Sequence, residues 1–135
     1  MGTGPNFVID KGMQANGTTA YAVGEAVLID TAVQSVKRGT TAATAADVVG
    51  VCYEAIDAAK LTANPGKVYL RIRFLGIARV LVGTGGFSKG ARLTNNTSAA
   101  FVTQATAGGP VAGVALEAGV AGGYAEVLLT PGATL

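Results

Sequence analysis

Two glutamates come nearest to a catalytic pair in this sequence. Glu54 and Glu117 end two related segments of the chain, so a fold with two related halves would place them at equivalent positions. Paired carboxylates cleave glycosidic bonds when they stand about 5 to 9 Å apart in a cleft. The simpler interpretation, which we favour, is that each glutamate ends a strand on its solvent-facing side.

The sequence contains no histidine, the commonest general base of enzymes. Ser-His-Asp and Cys-His catalysis in their ordinary forms are therefore excluded, as is a metal site built on imidazole. Cys52 is the single cysteine, which excludes an intramolecular disulfide and a cage of thiolate ligands. Since Ala115 stands at the related position, Cys52 is predicted to be a small buried residue. We expect no enzyme activity, no metal and no cofactor.

Two glycine-rich segments resemble ligand-binding loops only superficially. Residues 82–90 lack the Gly-Lys-Ser/Thr ending of a phosphate-binding loop, and no helix is predicted after them. Residues 119–123 lie between two predicted strands, where glycines supply the positive φ angles of a hairpin connection. Neither segment is assigned a ligand.

Charged residues are scarce, at 13% of the chain against a usual share of roughly 25%. A small domain with so little charge, and so much Ala, Gly, Thr and Val, is expected to cover part of its surface with other subunits. The net charge is only +2. The basic pairs Lys37-Arg38 and Arg71/Arg73 have no run of aromatic residues between them, so no nucleic-acid partner is predicted.

No targeting or membrane segment is recognised in the sequence. Residues 1–6 lack the basic and apolar regions of a secretory signal, and Asn6 stands where a myristoylation motif needs Ser or Thr. The most apolar window, residues 110–120, contains Glu117 and is shorter than the about 20 residues of a spanning helix. We expect a protein made in the cytoplasm of its host, with no membrane partner.

One eight-residue segment occurs twice. Residues 48–55 (VVGVCYEA) match residues 111–118 (VAGVALEA), so that Gly50 and Gly113 lie 63 residues apart. Two further pairs share this offset, namely Thr40 with Thr103 and Ala42 with Ala105. The chain is therefore predicted to contain two copies of one β-rich unit.

The repeat continues on both sides of this segment at other offsets. Upstream, residues 24–28 match residues 90–94, and each copy opens with a glycine that predicts a tight turn. Downstream, residues 69–74 match residues 124–129 at an offset of 55 residues. The first copy therefore has an extra connection, residues 56–67, whose Asn-Pro-Gly sequence predicts a surface turn.

Short stretches with alternating side chains, separated by turn residues, predict strands throughout the chain. They cover residues 26–29, 34–37, 48–54, 68–78, 91–93, 100–103, 111–117 and 125–129. Gly76 predicts a bend within the longest of them, and residues 84–86 are predicted to separate the copies. Residues 56–61 are predicted to form a short helix. Residues 43–47 are predicted to be a loop, since the related residues 108–110 are Gly-Gly-Pro.

These patterns predict an all-β fold with little helix: a small β-barrel or β-sandwich built from two related β units. The internal repeat covers about residues 24–76 and 90–132. Residues 13–135 are predicted to form a single β domain, and residues 1–12 an N-terminal arm. The apolar run at residues 7–9 favours a strand of the same domain, with docking on a neighbouring subunit as the alternative.

Several of these strands and turns, taken in order, resemble the capsid cement, or head decoration, proteins of tailed phages, a family long catalogued as a domain of unknown function. The resemblance spans roughly residues 5–130. The segments that carry it are residues 48–51, 68–72, 76–78, 87–93, 112–118 and 125–129.

The resemblance implies a compact β domain that assembles as a homotrimer on the outer surface of a phage capsid and stabilises the expanded shell. Its implied partners are the major capsid protein and other copies of itself. The arm and the insertion at residues 56–67 lie outside the repeat, so we expect the contacts there. The candidate contact residues are Asn6, Phe7, Val8, Ile56, Leu61, Asn64 and Pro65.

Two other classes of protein stay open. The first is another virion structural part, such as a tail or fibre module, which composition does not separate from a decoration protein. The second is a small β-domain enzyme or ligand binder with a cleft between the two units, where Glu54, Glu117 or Cys52 would act.

Overall fold

The computed structural model describes residues 8–30, 35–41 and 48–134. Within these residues the chain forms ten strands and one short helix, so the predicted all-β class with little helix is confirmed. The strands are β1 (Ile9–Gln14), β2 (Ala26–Asp30), β3 (Ser35–Arg38), β4 (Val48–Cys52), β5 (Tyr69–Leu75), β6 (Ile77–Leu81), β7 (Arg92–Asn95), β8 (Phe101–Thr103), β9 (Pro110–Ala115) and β10 (Tyr124–Thr134). The helix is α1 (Ala58–Ala63).

The strands form two antiparallel five-stranded sheets with the same internal order. The first sheet has the order β1-β5-β4-β2-β3 and the second has the order β6-β10-β9-β7-β8. Each strand of the first sheet thus corresponds to the strand five places later in the chain. The two sheets have the arrangement expected of two related β units.

The chain passes from the first sheet to the second at Gly76, between β5 and β6. Gly76 has a φ angle of 97°, which only glycine adopts without strain. The predicted bend at this residue is confirmed. The predicted boundary between the copies at residues 84–86 is wrong, because β6 already pairs with β10 of the second sheet.

The strand pairing has the offsets of the sequence repeat. Residues 66, 63 or 55 positions apart have corresponding partners: Val27 pairs with Gly50 and Leu93 with Gly113, while Cys52 pairs with Ile72 and Ala115 with Val127. The predicted match of Thr40 with Thr103 is wrong by two residues. Arg38 pairs with Val27 as Thr103 pairs with Leu93, which makes Arg38 the counterpart of Thr103. Ala42 lies outside the described residues.

Each sheet curls until its two edge strands meet. A parallel bridge joins Ala15, directly after β1, to Val36 of β3, and a second one joins Val82, directly after β6, to Phe101 of β8. Each curled sheet surrounds buried side chains of its own. Those of the first sheet are Val27, Val36, Cys52, Leu70 and Ile72, and their counterparts in the second are Leu93, Phe101, Ala115, Ala125 and Val127.

The first sheet also packs against the second with its other face. Ala26 and Leu28 of β2 belong to the apolar cluster of the second sheet, whereas Val27 between them faces the first core. The result is consistent with a sandwich of two curled sheets. The buried Asn95 of β7 stabilises this contact between the sheets. Its Nδ2 donates hydrogen bonds to the carbonyl oxygens of Gly39 at 2.8 Å and Thr41 at 2.6 Å, which both follow β3 of the first sheet.

The starts of β1 and of α1 differ from the sequence predictions. β1 begins at Ile9, so residues 9–12 of the predicted arm pair with β5, whereas residues 1–7 lie outside the described residues. α1 begins two residues later than the predicted helix, because the Asp57 carboxylate caps it by accepting a hydrogen bond of 2.7 Å from the Lys60 N–H. Residues 43–47 also lie outside the described residues.

Candidate interaction surface

The two glutamates of the predicted carboxylate pair follow β4 and β9. Glu54 and Glu117 are both exposed, as the simpler interpretation predicted. Oε1 of Glu117 accepts a hydrogen bond of 2.9 Å from the backbone N–H of Glu126. This bond holds Glu117 on the start of β10, within its own sheet.

Cys52 lies in the first core and is fully buried, as predicted. Its Sγ donates a hydrogen bond of 2.9 Å to the carbonyl oxygen of Glu54. Burial raises the pKa of the Cys52 thiol to about 11. Reactive cysteines are exposed and have a lowered pKa, so Cys52 has the environment of a structural residue.

We predict that native Cys52 resists alkylation. At pH 8 the raised pKa leaves about 100-fold less thiolate than a pKa of 9.0 would, and burial blocks the reagent as well. Iodoacetamide labelling followed by mass spectrometry should therefore be at least about 100-fold slower in the native protein than in guanidinium. Equal rates in the two states would contradict the burial of Cys52, and Cys52→Ala is the unlabelled control.

Two shallow clefts flank residues 16–18. One has a volume of about 200 Å³ and is bordered by Leu61 and Pro65 of the insertion, and the other has a volume of about 170 Å³ beside Lys37 and Arg38. Both volumes lie below the range of about 300 to 1,000 Å³ that is typical of small-molecule sites. Among the described residues, no group of three or more Cys, Asp or Glu could hold a metal ion. No helix in that part of the chain is long and apolar enough to cross a membrane.

The predicted contact residues of the insertion divide into two groups. Asn64 and Pro65 are exposed in the turn after α1, where Gly66 has a positive φ angle of 70°. Ile56 and Leu61 are each only 3% exposed and pack into the first core. These two side chains hold the insertion on the sheet from inside, so a partner of the insertion would meet its exposed residues.

The predicted contacts of the arm are described only in part. Val8 is 40% exposed just before β1, whereas Asn6 and Phe7 lie outside the described residues. A role of any of these residues in binding a capsid or a neighbouring subunit stays a prediction.

A network of charged and aromatic side chains, which sequence reasoning missed, covers the outer face of β1 and β5. The Asp10 carboxylate accepts hydrogen bonds from Nη2 of Arg71 at 2.7 Å and from Nε of Arg73 at 2.8 Å. The Arg73 guanidinium also stacks on the Tyr53 ring, 4.0 Å from its centroid. The Tyr53 hydroxyl in turn accepts a hydrogen bond of 2.7 Å from the backbone N–H of Arg79. The network therefore links β1 and β5 of the first sheet to β6 of the second.

We predict that Asp10→Asn lowers the free energy of unfolding by about 1 kcal/mol at pH 7, because it weakens two charge-assisted hydrogen bonds. The loss is moderate because water screens the exposed Arg71. The hydrogen bond from Arg73, and then that from Arg71, lowers the pKa of Asp10 below its usual 3.8, although burial opposes this.

The same lowered pKa sets the pH range of this effect. Asp10 contributes its full stability above the unfolded-state pKa near 3.8 and loses it as the pH falls through the lower folded-state value. Urea unfolding at several pH values should thus show a constant difference between Asp10→Asn and wild type above about pH 5. The difference should shrink as the pH falls below about 3.8 and through the lower folded-state pKa; a difference that stayed constant over this range would contradict the ion pairs.

Comparisons with known proteins identify a shared fold. No protein-family model matches the chain, and no curated protein matches it by sequence. Among solved structures, the chain is similar to the N base of head fiber gp8.5 in bacteriophage phi29, with a TM-score of 0.62. The match covers 92% of this chain and 95% of that chain at 12% sequence identity. Both sheets therefore have counterparts in a phage head fibre, while membership of the decoration family stays a prediction.

Proposed function

We propose that this chain is a structural protein of a phage virion. The observation that carries the proposal is the fold shared with the N base of a phage head fibre, over 92% of this chain and 95% of the other. Such coverage means that the two structures correspond over most of their length. A single common motif, such as one curled sheet, would match only part of each chain.

More specifically, the protein binds the outer surface of the capsid and stabilises the expanded shell as a decoration protein. The resemblance of its strands and turns to decoration proteins supports this role. So does its surface, since only 13% of the chain is charged and ten large apolar side chains of the described residues are exposed. Its partners in this proposal are the major capsid protein and two further copies in a homotrimer. The role requires no enzyme activity, cofactor, nucleic acid or membrane.

The mechanism is thermodynamic. A protein that binds the expanded shell and not its unexpanded or disassembled forms shifts the equilibrium toward the expanded shell by its binding free energy. A trimer adds to this effect, because linking several weak contacts raises the overall affinity. Each copy can thus contribute a modest contact, and the shell as a whole gains stability.

A second candidate function is the base of a fibre that stands on the phage head. The description of the solved structure as a head fibre base favours it over a tail module. The two candidates share the contact to the shell. They differ in whether a further fibre segment is attached to this chain.

Co-sedimentation with capsid shells tests the proposal. We expect saturable binding of the purified protein to bare expanded shells of the phage that encodes it, with a copy number that is a multiple of three per symmetry position. Binding to unexpanded procapsids of the same phage should be weaker. Absence of binding to either shell would contradict the proposed role.

A further inference from the structure

An exposed apolar patch surrounds Gly76, at the junction of the two sheets. Ile9 of β1 lies opposite Leu75 of β5, and Leu128 of β10 lies opposite Ile77 of β6. These four side chains are 41% to 52% exposed. We call them the Gly76 patch.

Hydrogen bonds connect the two sheets at this junction. Nη1 of Arg73 in the first sheet donates a hydrogen bond of 3.1 Å to the carbonyl oxygen of Ile77 in the second. The backbone N–H of Leu129 donates one of 3.0 Å to the carbonyl oxygen of Gly76. Leu75 and Ile77 are separated only by Gly76, so one apolar pair follows the other across this junction and a single partner could cover both.

Arginines flank the Gly76 patch on both sides. On the first sheet, Arg71 and Arg73 share the single carboxylate of Asp10. On the second sheet, Arg79 lies opposite Glu126 in the strand pairing. We call these two groups the arginine rims of the patch. The first rim, with Arg71, Arg73 and Asp10, has a net positive charge, whereas the second, with Arg79 and Glu126, has none.

Tyrosines stand at the two ends of this face. Tyr69 is 64% exposed and Tyr124 is 45% exposed, and the two are counterparts in the repeat. The guanidinium of Arg79 lies 5.4 Å from the centroid of the Tyr124 ring. Tyrosine and arginine are enriched in protein interfaces and dominate their binding energy, whereas lysine and glutamate are depleted. Beside Asp10 and Glu126, the face has three arginines, two tyrosines and four aliphatic side chains, so it is rich in residue types that interfaces favour.

We propose that the Gly76 patch and its arginine rims form the face by which this protein docks on a partner protein surface with an apolar centre and a carboxylate rim. The inference rests on the proposed function, in which that surface belongs to the capsid shell. A second copy of the same face is the poorer occupant. Neither of its rims has a net negative charge, so it offers no complement to Arg71 and Arg73.

The apolar part of this proposal is tested by the double variant Ile77→Thr/Leu128→Thr. It makes the patch less apolar, while threonine, like the residues it replaces, is well tolerated in strands. Titration of expanded shells in the co-sedimentation assay should show binding at least about tenfold weaker than that of wild type. The matched control is Ile29→Thr/Val120→Thr, which changes two exposed aliphatic residues away from the patch and should bind like wild type. Thermal unfolding of all variants verifies that they are folded.

The charged part is tested by Arg71→Gln, which removes a charge from the rim with the net positive charge, with Lys89→Gln in an exposed turn as a control of equal charge change. Arg71→Gln should weaken shell binding about tenfold or more at low salt, whereas Lys89→Gln should have little effect. The difference between the two should shrink at 0.5 M salt, because screening removes interactions between exposed charges.

The outcomes separate this inference from the proposed function. If wild type does not bind shells, the proposed function fails and the docking face fails with it. If wild type binds and the patch variants bind equally well, only the docking face is overturned. If sedimentation of the free protein shows that Ile77→Thr/Leu128→Thr dissociates an oligomer of wild type, the patch is a contact between copies and the inference is likewise overturned.

Discussion

Replacing Gly50 or Gly113 with alanine is expected to lower the free energy of unfolding by about 3 kcal/mol or more, since neither position has space for a side chain. A Cβ atom at Gly50 would lie 2.3 Å from the carbonyl oxygen of Arg73 on β5. At Gly113 it would lie 2.5 Å from Cγ1 of Val127 and 2.8 Å from the carbonyl oxygen of Leu128 on β10. In both sheets a central strand approaches its neighbour so closely that only glycine fits.

Urea unfolding of Gly50→Ala and Gly113→Ala measures this cost. Gly12→Ala is the matched control, because Gly12 also lies in a strand but a Cβ atom there would meet nothing within 4 Å. The control should stay within about 0.5 kcal/mol of wild type. If Gly50→Ala were as stable as Gly12→Ala, the pairing of β4 with β5 would be in error.

Removing either member of the ion pair between Glu25 and Arg38 is expected to cost about 3 kcal/mol. The Glu25 side chain is only 4% exposed and forms a two-pronged ion pair with the Arg38 guanidinium, which is 24% exposed. Oε1 of Glu25 also accepts a hydrogen bond of 2.6 Å from the Ala22 N–H. Arg38→Thr would leave the carboxylate buried without its cation. Glu25→Ala would leave the guanidinium without its carboxylate and the Ala22 N–H without its acceptor.

The repeat supplies the control for this prediction. The second sheet has Ala91 and Thr103 at the positions that correspond to Glu25 and Arg38. The double variant Glu25→Ala/Arg38→Thr should therefore lose at least about 2 kcal/mol less than the sum of the single losses. Additive losses in a double-mutant cycle by urea unfolding would show that the two charges do not depend on each other.

The strands were predictable from sequence wherever one face is buried and a glycine marks the turn. In β5, Leu70 and Ile72 are buried while Tyr69 and Arg71 are exposed, as the alternating pattern predicted. The internal match around Gly50 identified β4 and β9 and hence the pairing that the sheets have in common. The alternating pattern and the repeat can both be recognised in the sequence without knowing which strands pair.

β1 was not predictable in the same way. Its residues include Lys11, Gly12 and Gln14, which do not form an apolar face. The strand is held by its pairing with β5 and by the contact between Asp10 and Arg71, which are 61 residues apart in the chain. A contact at that separation leaves no trace in a local pattern, which is why the sequence predicts an arm here.

The candidate surface was predictable only in its general position. The sequence identified the insertion as an addition to the repeat, and Asn64 and Pro65 are indeed exposed. Its apolar residues Ile56 and Leu61 are buried in the first core, because an insertion needs apolar residues of its own to attach to the sheet. The Gly76 patch was not predictable, because it is assembled from strands of both sheets.

Cryo-electron microscopy of phage particles with and without this protein tests the central claim most directly. The claim is that the protein is a structural component on the outer surface of the capsid. We predict that subtracting the two maps leaves density on the outside of the head, with the volume of three chains at each occupied position and the Gly76 patch toward the shell. Difference density confined to the tail, or no density anywhere on the particle, would contradict the claim.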